Sequence, residues 1–305
     1  MLDLIALIKW RGFFGEFFKS LGGFGGVRTH SRWSEYYACV ACRAARECGW
    51  EGEPGADAVR QALSVVCPRV ERRACRQPEK PPAPAIQPLI ALYRWMSENI
   101  CQAMAGTLQR EEQRSKYVEL LNLDAYRAYR VWIYRKLVAP LVRRGAESVL
   151  LVGAGVVEPF DLMKALNIEG LEGAVEITAQ EVDPEAARAL AASGMSVFLG
   201  EVEQMEDSFD VALVQNVLHW AERPEELLAA VAQRAKYVVL SQGYGYNNAA
   251  GFLLTAVLGA KRAVPSREYI DSVVAQAGLE PLRDMPSLKA YGLYVGVFKG
   301  RAEKK

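Results

Sequence analysis

From residue 147 onward, short apolar runs alternate with stretches of helical periodicity. The run 149–152 is apolar at every position, which is typical of a parallel strand buried on both faces. Further strand candidates follow at 174–181, 195–199, 209–214 and 237–240. Because helical stretches such as 184–192 and 224–234 separate them, the pattern predicts a parallel sheet with right-handed crossovers. A last apolar segment at 291–298 predicts the strand that closes the sheet.

The chain before this region is predicted to be helical and to be divided by a Pro-rich segment. Residues 77–88 hold five prolines in twelve positions, and proline fixes φ and removes a backbone donor, so we expect an extended linker or strap. Helices are predicted at 1–21, from a Ser34 N-cap to Cys48, at 57–66 and at 124–143. The predicted organisation is a helical, cysteine-bearing segment at 1–77, a linker at 78–88, capping helices at 89–145 and an α/β domain at 146–305.

Composition narrows the class of protein. The 305 residues include 37 Lys and Arg against 36 Asp and Glu, so a net charge of +1 argues against coating nucleic acid or membranes by bulk charge. The 51% of hydrophobic residues predicts a sizeable core. No apolar stretch reaches the roughly 18–20 residues that span a bilayer. We therefore expect a cytoplasmic protein with mostly reduced cysteines, unless the source is a hyperthermophile.

Two glycines follow the first predicted strand directly. Gly153 and Gly155 let the backbone pass close to a ligand at the carboxyl end of the sheet. Dinucleotide-binding sequences place a third glycine three residues later, where this chain has Glu158. Because an acidic side chain repels phosphate at a helix N-terminus, the motif disfavours NAD and favours a ligand without phosphate groups.

Polar residues stand at the ends of the next predicted strands. Glu181 ends the second strand, where a carboxylate can accept hydrogen bonds from both hydroxyls of a ribose. The third strand runs into Gly200-Glu201-Val202, and the fourth ends at Gln215-Asn216. Taken alone, Glu181 and Glu201 could equally be solvated acids at strand ends.

In this order and spacing, the motifs resemble those of the class I S-adenosylmethionine-dependent methyltransferases, over about residues 120–300. The resemblance implies an α/β fold with a seven-stranded Rossmann-like sheet, mostly parallel with an antiparallel last strand, preceded by a helical N-terminal region. It implies S-adenosyl-L-methionine as cofactor. The contacts that it implies are Gly153, Ala154 and Gly155 at the methionine moiety, Glu181 at the ribose, Val182, Glu201 and Val202 at the adenine, and Gln215 or Asn216 beside strand four. The family usually has an acidic residue two positions before the first glycine, where this chain has Leu151.

Two residues are candidates for a role in the reaction. His219 follows the fourth strand and is the candidate general base, needed only where the acceptor must lose a proton. The alternative is a histidine that packs or hydrogen-bonds within the core. Tyr244, among glycines after the fifth strand, is a candidate for the acceptor pocket, and a plain turn is the alternative.

The cysteines are concentrated before the Pro-rich segment. Cys39, Cys42, Cys48 and Cys67 are candidate ligands for zinc or an iron–sulfur cluster. Their spacing matches no zinc-finger pattern, and on one helix Cys48 lies roughly opposite Cys39 and Cys42. Disulfides, or thiols buried in a helical core, therefore stay open.

The leading hypothesis is methyl transfer to a small-molecule acceptor by in-line displacement at the sulfonium methyl group. A second makes the acceptor RNA or protein, recognised by the cysteine-bearing N-terminal segment. A third is transfer of the aminocarboxypropyl group of the same cofactor, and a fourth is a nucleoside-binding protein without turnover. The helical N-terminal region is expected to form a lid or a homodimer face.

Overall fold

The computed structural model describes residues 10–52, 57–71, 75–245, 248–290 and 292–302. The chain folds as two compact units, and each is discontinuous in sequence. The sheet unit comprises Met1–Phe13, Arg127–Gly243 and Arg267–Lys305. The helical unit comprises Phe14–Tyr126 and Tyr244–Ser266.

This division differs from the predicted one at 77, 88 and 145. Helices on both sides of the Pro-rich segment belong to the same helical unit, and a disulfide joins Cys48 to Cys101 across it. Trp33 donates a hydrogen bond from Nε1 to the carbonyl of Lys80 at 3.1 Å, which fastens the segment to a helix. The Pro-rich segment is therefore a strap within one unit, which is the second of the two forms expected for it.

The sheet unit is built around eight strands. These are β1 (Ser148–Val152), β2 (Glu176–Glu181), β3 (Ser196–Leu199), β4 (Phe209–Gln215), β5 (Ala235–Gly243), β6 (Glu280–Pro281), β7 (Leu288–Ala290) and β8 (Leu293–Lys299). Their order is β3-β2-β1-β4-β5-β8-β6, with β7 paired to β8. The first five strands are parallel, whereas β8 runs antiparallel to β5. The predicted mostly parallel sheet with an antiparallel last strand is confirmed.

The central strands are the most buried, as their apolar sequences require. All seven residues of β4 are buried, and β1 is buried from Val149 onward. Asp210 sets the start of β1, because its Oδ2 accepts hydrogen bonds from the backbone N–H groups of Glu147 at 2.8 Å and Ser148 at 3.2 Å. This register brings the carboxyl ends of β1, β2, β4 and β5 to one edge of the sheet.

Helices precede, separate and follow the strands along the described part of the chain. They are α1 (Arg11–Ser20), α2 (Gly23–Glu47), α3 (Ala58–Val70), α4 (Gln87–Ala105), α5 (Arg110–Leu121), α6 (Asp124–Val142), α7 (Glu158–Ile168), α8 (Pro184–Ala192), α9 (Pro224–Arg234), α10 (Ala249–Val257) and α11 (Arg267–Gln276). Within the helical unit, α2, α3 and α4 pack on one another and on α10. No helix in the described residues has the length and apolar composition required to cross a membrane.

Ser34 does not begin a helix, contrary to the prediction. Helix α2 starts at Gly23, so Ser34 lies in its middle and is buried. The Oγ of Ser34 donates to Oδ1 of Asn248 at 2.8 Å and accepts from the backbone N–H of Ala250 at 3.0 Å. It therefore caps α10 instead of α2. Tertiary packing extends α2 through glycines that would weaken an isolated helix.

A buried polar network ties α2, α4 and α10 together. Asn248 is the N-cap of α10, and its side chain bonds both Ser34 and the hydroxyl of Tyr93. Tyr93 is fully buried, and its hydroxyl also lies 2.9 Å from Nε2 of His30. Because each polar group has a partner, the network specifies how these three helices meet.

The cysteines form disulfides and not a metal site. Cys39 pairs with Cys75, Cys42 with Cys67 and Cys48 with Cys101, so none of the four predicted ligands keeps a thiolate for zinc or an iron–sulfur cluster. The described residues contain no cluster of three or more His, Cys, Asp or Glu side chains suited to a metal ion. The metal prediction is therefore corrected, and so is the expectation of mostly reduced thiols. The disulfide alternative is the one observed.

We expect the Cys42→Ala/Cys67→Ala variant to be less stable by about 2–4 kcal/mol, since this disulfide restricts the unfolded chain. The free energy of unfolding, measured by urea denaturation without reductant, tests the prediction. Both sulfurs belong to residues with no exposed surface, so Cys42 and Cys67 of the wild-type protein should react with a thiol reagent only after unfolding and reduction. Free thiols or bound zinc in the folded, unreduced protein would contradict the assignment.

Candidate active site

The loop between β1 and α7 depends on two glycines in the left-handed region. Gly153 has φ 59° and Gly155 has φ 55°, values that side chains with a Cβ rarely adopt. The N–H of Gly153 donates to Oε1 of Gln180 at 2.9 Å, and that of Ala154 donates to the Gln180 carbonyl at 3.1 Å. Ala154 itself is buried. The loop is thus fastened to β2 by backbone donors.

Glu181 is the last residue of β2, at the strand end where the sequence predicted it. Its Oε2 accepts from the N–H of Gly155 at 2.8 Å, and its Oε1 accepts from Val182 at 2.9 Å and Asp183 at 3.1 Å. The side chain is only 7% exposed. Because a carboxylate offers about four lone-pair positions and three are used by these N–H groups, about one remains for a hydrogen bond from a ligand.

The tips of β2 and β3 present apolar surface beside this carboxylate. Val182 and Leu199 are 53% and 54% exposed, which is unusual for aliphatic side chains at the end of a sheet. Glu201 is exposed and caps the short 3₁₀ turn Val202–Gln204, in which Val202 is completely buried. Of the residues predicted near an adenine, Val182 and Glu201 therefore reach the surface and Val202 packs beneath it. Leu199 was not among the residues predicted near an adenine, although its place one residue before Gly200 could have indicated it.

The end of β4 carries an unsatisfied amide. Both polar atoms of the Gln215 side chain are buried, and within the described part of the chain neither has a hydrogen-bond partner. Leaving such groups unpaired costs about 1–3 kcal/mol each, so a ligand that pairs them gains that free energy. Asn216 has φ 51°, and its Oδ1 accepts from the N–H of Gly243 at 2.9 Å, which joins the ends of β4 and β5.

His219 is buried and contacts Gln242 of β5. Its Nδ1 lies 3.1 Å from Nε2 of Gln242, and its ring packs on Trp220. Burial lowers the pKa of His219 from 6.5 to about 3. The imidazole is thus neutral over the physiological range.

Tyr244, the second residue predicted to act on the acceptor, follows β5 at the start of the second segment of the helical unit and is half-buried there. The other predicted active-site residues all belong to the sheet unit.

A buried acidic cluster lies beneath the glycine loop. Asp161 of α7 forms an ion pair with Arg130 at 2.7 Å, and both side chains are buried. Glu158, at the start of the same helix, is also buried, but no hydrogen bond to its carboxyl group is found among the described residues. Burial raises the pKa of Glu158 to about 8, aided by Asp161 and Glu181 and opposed by Arg130. From the sequence, Glu158 was noted only as an acidic residue in the place of a third glycine, and its burial was not predicted.

We expect Glu158 to make folding pH-dependent. Its pKa in the folded protein exceeds the ordinary value of 4.5, so the native state holds a proton that the unfolded chain releases, and stability falls as pH rises from 4.5 to about 8. The decline relative to Glu158→Gln, which cannot ionise, should approach ~1.4 kcal/mol per pH unit. Urea denaturation across this window is the measurement. Glu172→Gln, at an exposed position, is the control that should follow the wild type. Parallel profiles for wild type and Glu158→Gln would show that folding leaves the pKa of the carboxyl group unchanged.

No protein-family model matches the chain, and no curated protein matches its sequence. Solved structures do match its fold. The citrinin polyketide synthase CMeT domain aligns with a TM-score of 0.68 and 12% identity, covering 98% of this chain and 97% of its own. The CurJ carbon methyltransferase aligns at 0.65 and 11%, covering 97% and 98%. The trans-methyltransferase CalH, in complex with S-adenosylhomocysteine, aligns at 0.58 and 14%, covering 89% and 90%.

These alignments extend over nearly the whole chain, including its helical N-terminal part. At such low identity the likeness concerns the fold, and it confirms the fold predicted from the sequence motifs. The chain has the fold of the class I S-adenosylmethionine-dependent methyltransferases.

Proposed function

We propose that this protein transfers the methyl group of S-adenosylmethionine to a small-molecule acceptor. The observation that carries the proposal is the carboxylate of Glu181, held by three backbone N–H groups beside the glycine loop at the carboxyl edge of the sheet. A carboxylate in this place suits the two hydroxyls of a ribose. The matching structures named above are methyltransferases, and CalH is in complex with S-adenosylhomocysteine.

The residues present fit this cofactor. Glu181 would accept from the ribose hydroxyls, and the exposed side chains of Val182 and Leu199 would cover the faces of the adenine ring. The unpaired amide of Gln215 has both a donor and an acceptor to offer, which matches a polar ligand. Gly153 and Gly155 both have a positive φ, and a Cβ at Gly153 would also come within 3.3 Å of Val217, so the loop keeps its shape only with glycine there.

The charges beneath the loop also favour this cofactor over a dinucleotide. Glu158, Asp161 and Glu181 bring three carboxyl groups to one place, against the guanidinium groups of Arg130 and Arg127, which both pair with Asp161. S-Adenosylmethionine carries an ammonium and a sulfonium cation and has no phosphate. A cation near Glu158 would favour its ionised form, which supports Glu158 as the acceptor for the ammonium group that Leu151 cannot bind.

The chain's own contribution to the reaction is positional. The bound cofactor supplies a methyl group that is already activated by its sulfonium centre. The protein aligns the acceptor with that group and excludes water, and proximity of this kind can supply several kcal/mol of the barrier. CurJ, one of the matching structures, is a carbon methyltransferase, which supports a carbon nucleophile.

We expect micromolar binding of S-adenosylmethionine and S-adenosylhomocysteine and none of NAD, measured by isothermal titration calorimetry. Glu181→Gln should weaken both ligands about 10- to 100-fold, since a hydrogen bond to a charged group contributes about 1.5–3 kcal/mol. Glu172→Gln, on an exposed turn, is the control and should bind as the wild type does.

Unchanged affinity in a folded Glu181→Gln protein would remove the ribose assignment. Binding of NAD alone would overturn the cofactor class. Release of methylthioadenosine in place of S-adenosylhomocysteine during turnover would show aminocarboxypropyl transfer instead.

A further inference from the structure

We propose that Gln242 fixes His219 in the tautomer that carries its proton on Nε2, so that His219 serves the acceptor as a hydrogen-bond donor and not as a base. The corresponding acceptor is an acidic enol, 1,3-dicarbonyl compound or phenol, which ionises without help from the protein. This inference rests on the proposed methyl transfer for its catalytic meaning. The tautomer itself follows from contacts within the sheet unit.

Two backbone contacts fix the orientation of the Gln242 amide. The side chain is 1% exposed, and its Oε1 accepts from the backbone N–H of Leu218 at 3.1 Å. Its Nε2 donates to the carbonyl of Gly243 at 2.8 Å. Exchanging the two amide atoms would place a donor against the N–H of Leu218 and an acceptor against the carbonyl of Gly243. Two backbone groups therefore settle which end of the amide faces His219.

The orientation of the amide decides which nitrogen of the His219 ring carries the proton. Nε2 of Gln242 lies 3.1 Å from Nδ1 of His219, and an amide nitrogen donates but does not accept. Nδ1 must then be the acceptor, and in the neutral ring the proton sits on Nε2. A second proton on Nδ1 would face the amide N–H, which opposes charging of the ring.

The electrostatic surroundings act in the same direction. Burial is the one cause that lowers the pKa of His219, and no charged side chain of the described residues offsets it. Hydrogen-bonded to Gln242, His219 lacks the neighbouring carboxylate that would stabilise an imidazolium. It therefore has no nitrogen available to take a proton at neutral pH.

Nε2 is the ring nitrogen of His219 that carries this proton. Among the described residues no hydrogen-bond partner is found for Nε2 of His219, although the side chain is 8% exposed. The residue follows β4, on the edge that also carries Gln215. An N–H there can hold the oxyanion of an ionised acceptor, and a hydrogen bond to a charged group strengthens binding by about 10- to 100-fold.

These properties select the acceptor. Its proton goes to solvent before transfer, its electron pair then forms the bond to the methyl carbon, and the pair of the breaking C–S bond stays on sulfur. The oxyanion of an enolate or phenolate accepts the hydrogen bond from Nε2. Because the anionic acceptor and the sulfonium both become neutral, methyl transfer is favoured in a site that excludes water.

The tautomer is tested first, by long-range ¹H–¹⁵N NMR of the protein labelled in histidine, with His219→Gln to assign the signals. We expect His219 to keep its proton on Nε2 and to remain neutral from pH 5 to 8, whereas the ring in Gln242→Glu should place its proton on Nδ1 and titrate at higher pH. A wild-type ring protonated on Nδ1, or one that titrates near pH 6.5, would overturn the proposal. This readout needs no cofactor, so it stands apart from the calorimetric test of S-adenosylmethionine binding.

The role is tested by turnover with a panel of phenols and 1,3-dicarbonyl compounds of graded acidity, measured as S-adenosylhomocysteine formed. Glutamine places an N–H near the position of Nε2, so His219→Gln should keep the KM for the ionised acceptor within about tenfold of the wild-type value, whereas His219→Ala should lose about 10- to 100-fold in this affinity. The rate should follow the ionisation of each acceptor. Equal losses in both variants, or turnover confined to acceptors that do not ionise below pH 10, would show that His219 acts as a base.

Discussion

The carboxylate of Glu181 is the contact on which the geometry of the active-site edge depends. It gathers the N–H groups of Gly155, Val182 and Asp183, and so joins the glycine loop after β1 to the turn after β2. Gln180, the preceding residue, fastens Gly153 on one side and the carbonyl of Gly200 on the other. Two adjacent side chains of one strand thus align three strand ends.

At the same edge, groups with hydrogen-bond partners hold the backbone in place, whereas buried groups without partners lower the stability of the protein. Gln215 and Glu158 are buried with unmet hydrogen-bonding capacity, and Asn216 adopts a left-handed conformation. Such groups each cost free energy in the isolated protein. The network around Tyr93 in the helical unit differs, because each of its polar groups has a partner.

The sheet could be predicted because its signals are local. Buried parallel strands require continuous apolar runs, and the glycine loop requires glycine where φ is positive, so both are visible in the sequence. The start of α2, the disulfide pairing and the two-unit division depend on contacts between distant segments, which spacing alone does not reveal. Glu158 and Gln242 belong to the same class, because their meaning lies in which groups they do or do not face.

The discontinuity of the helical unit has a consequence for synthesis of the chain. Helix α10 packs on α2, α3 and α4 and is capped by Ser34, yet the ribosome makes it only after all five parallel strands. All six cysteines emerge before any strand of the sheet. The disulfides of the N-terminal helices can therefore close in a partly folded chain, and this closure limits how far those helices separate while the sheet is assembled. The order of synthesis thus makes thiol oxidation an early folding event and the docking of α10 a late one.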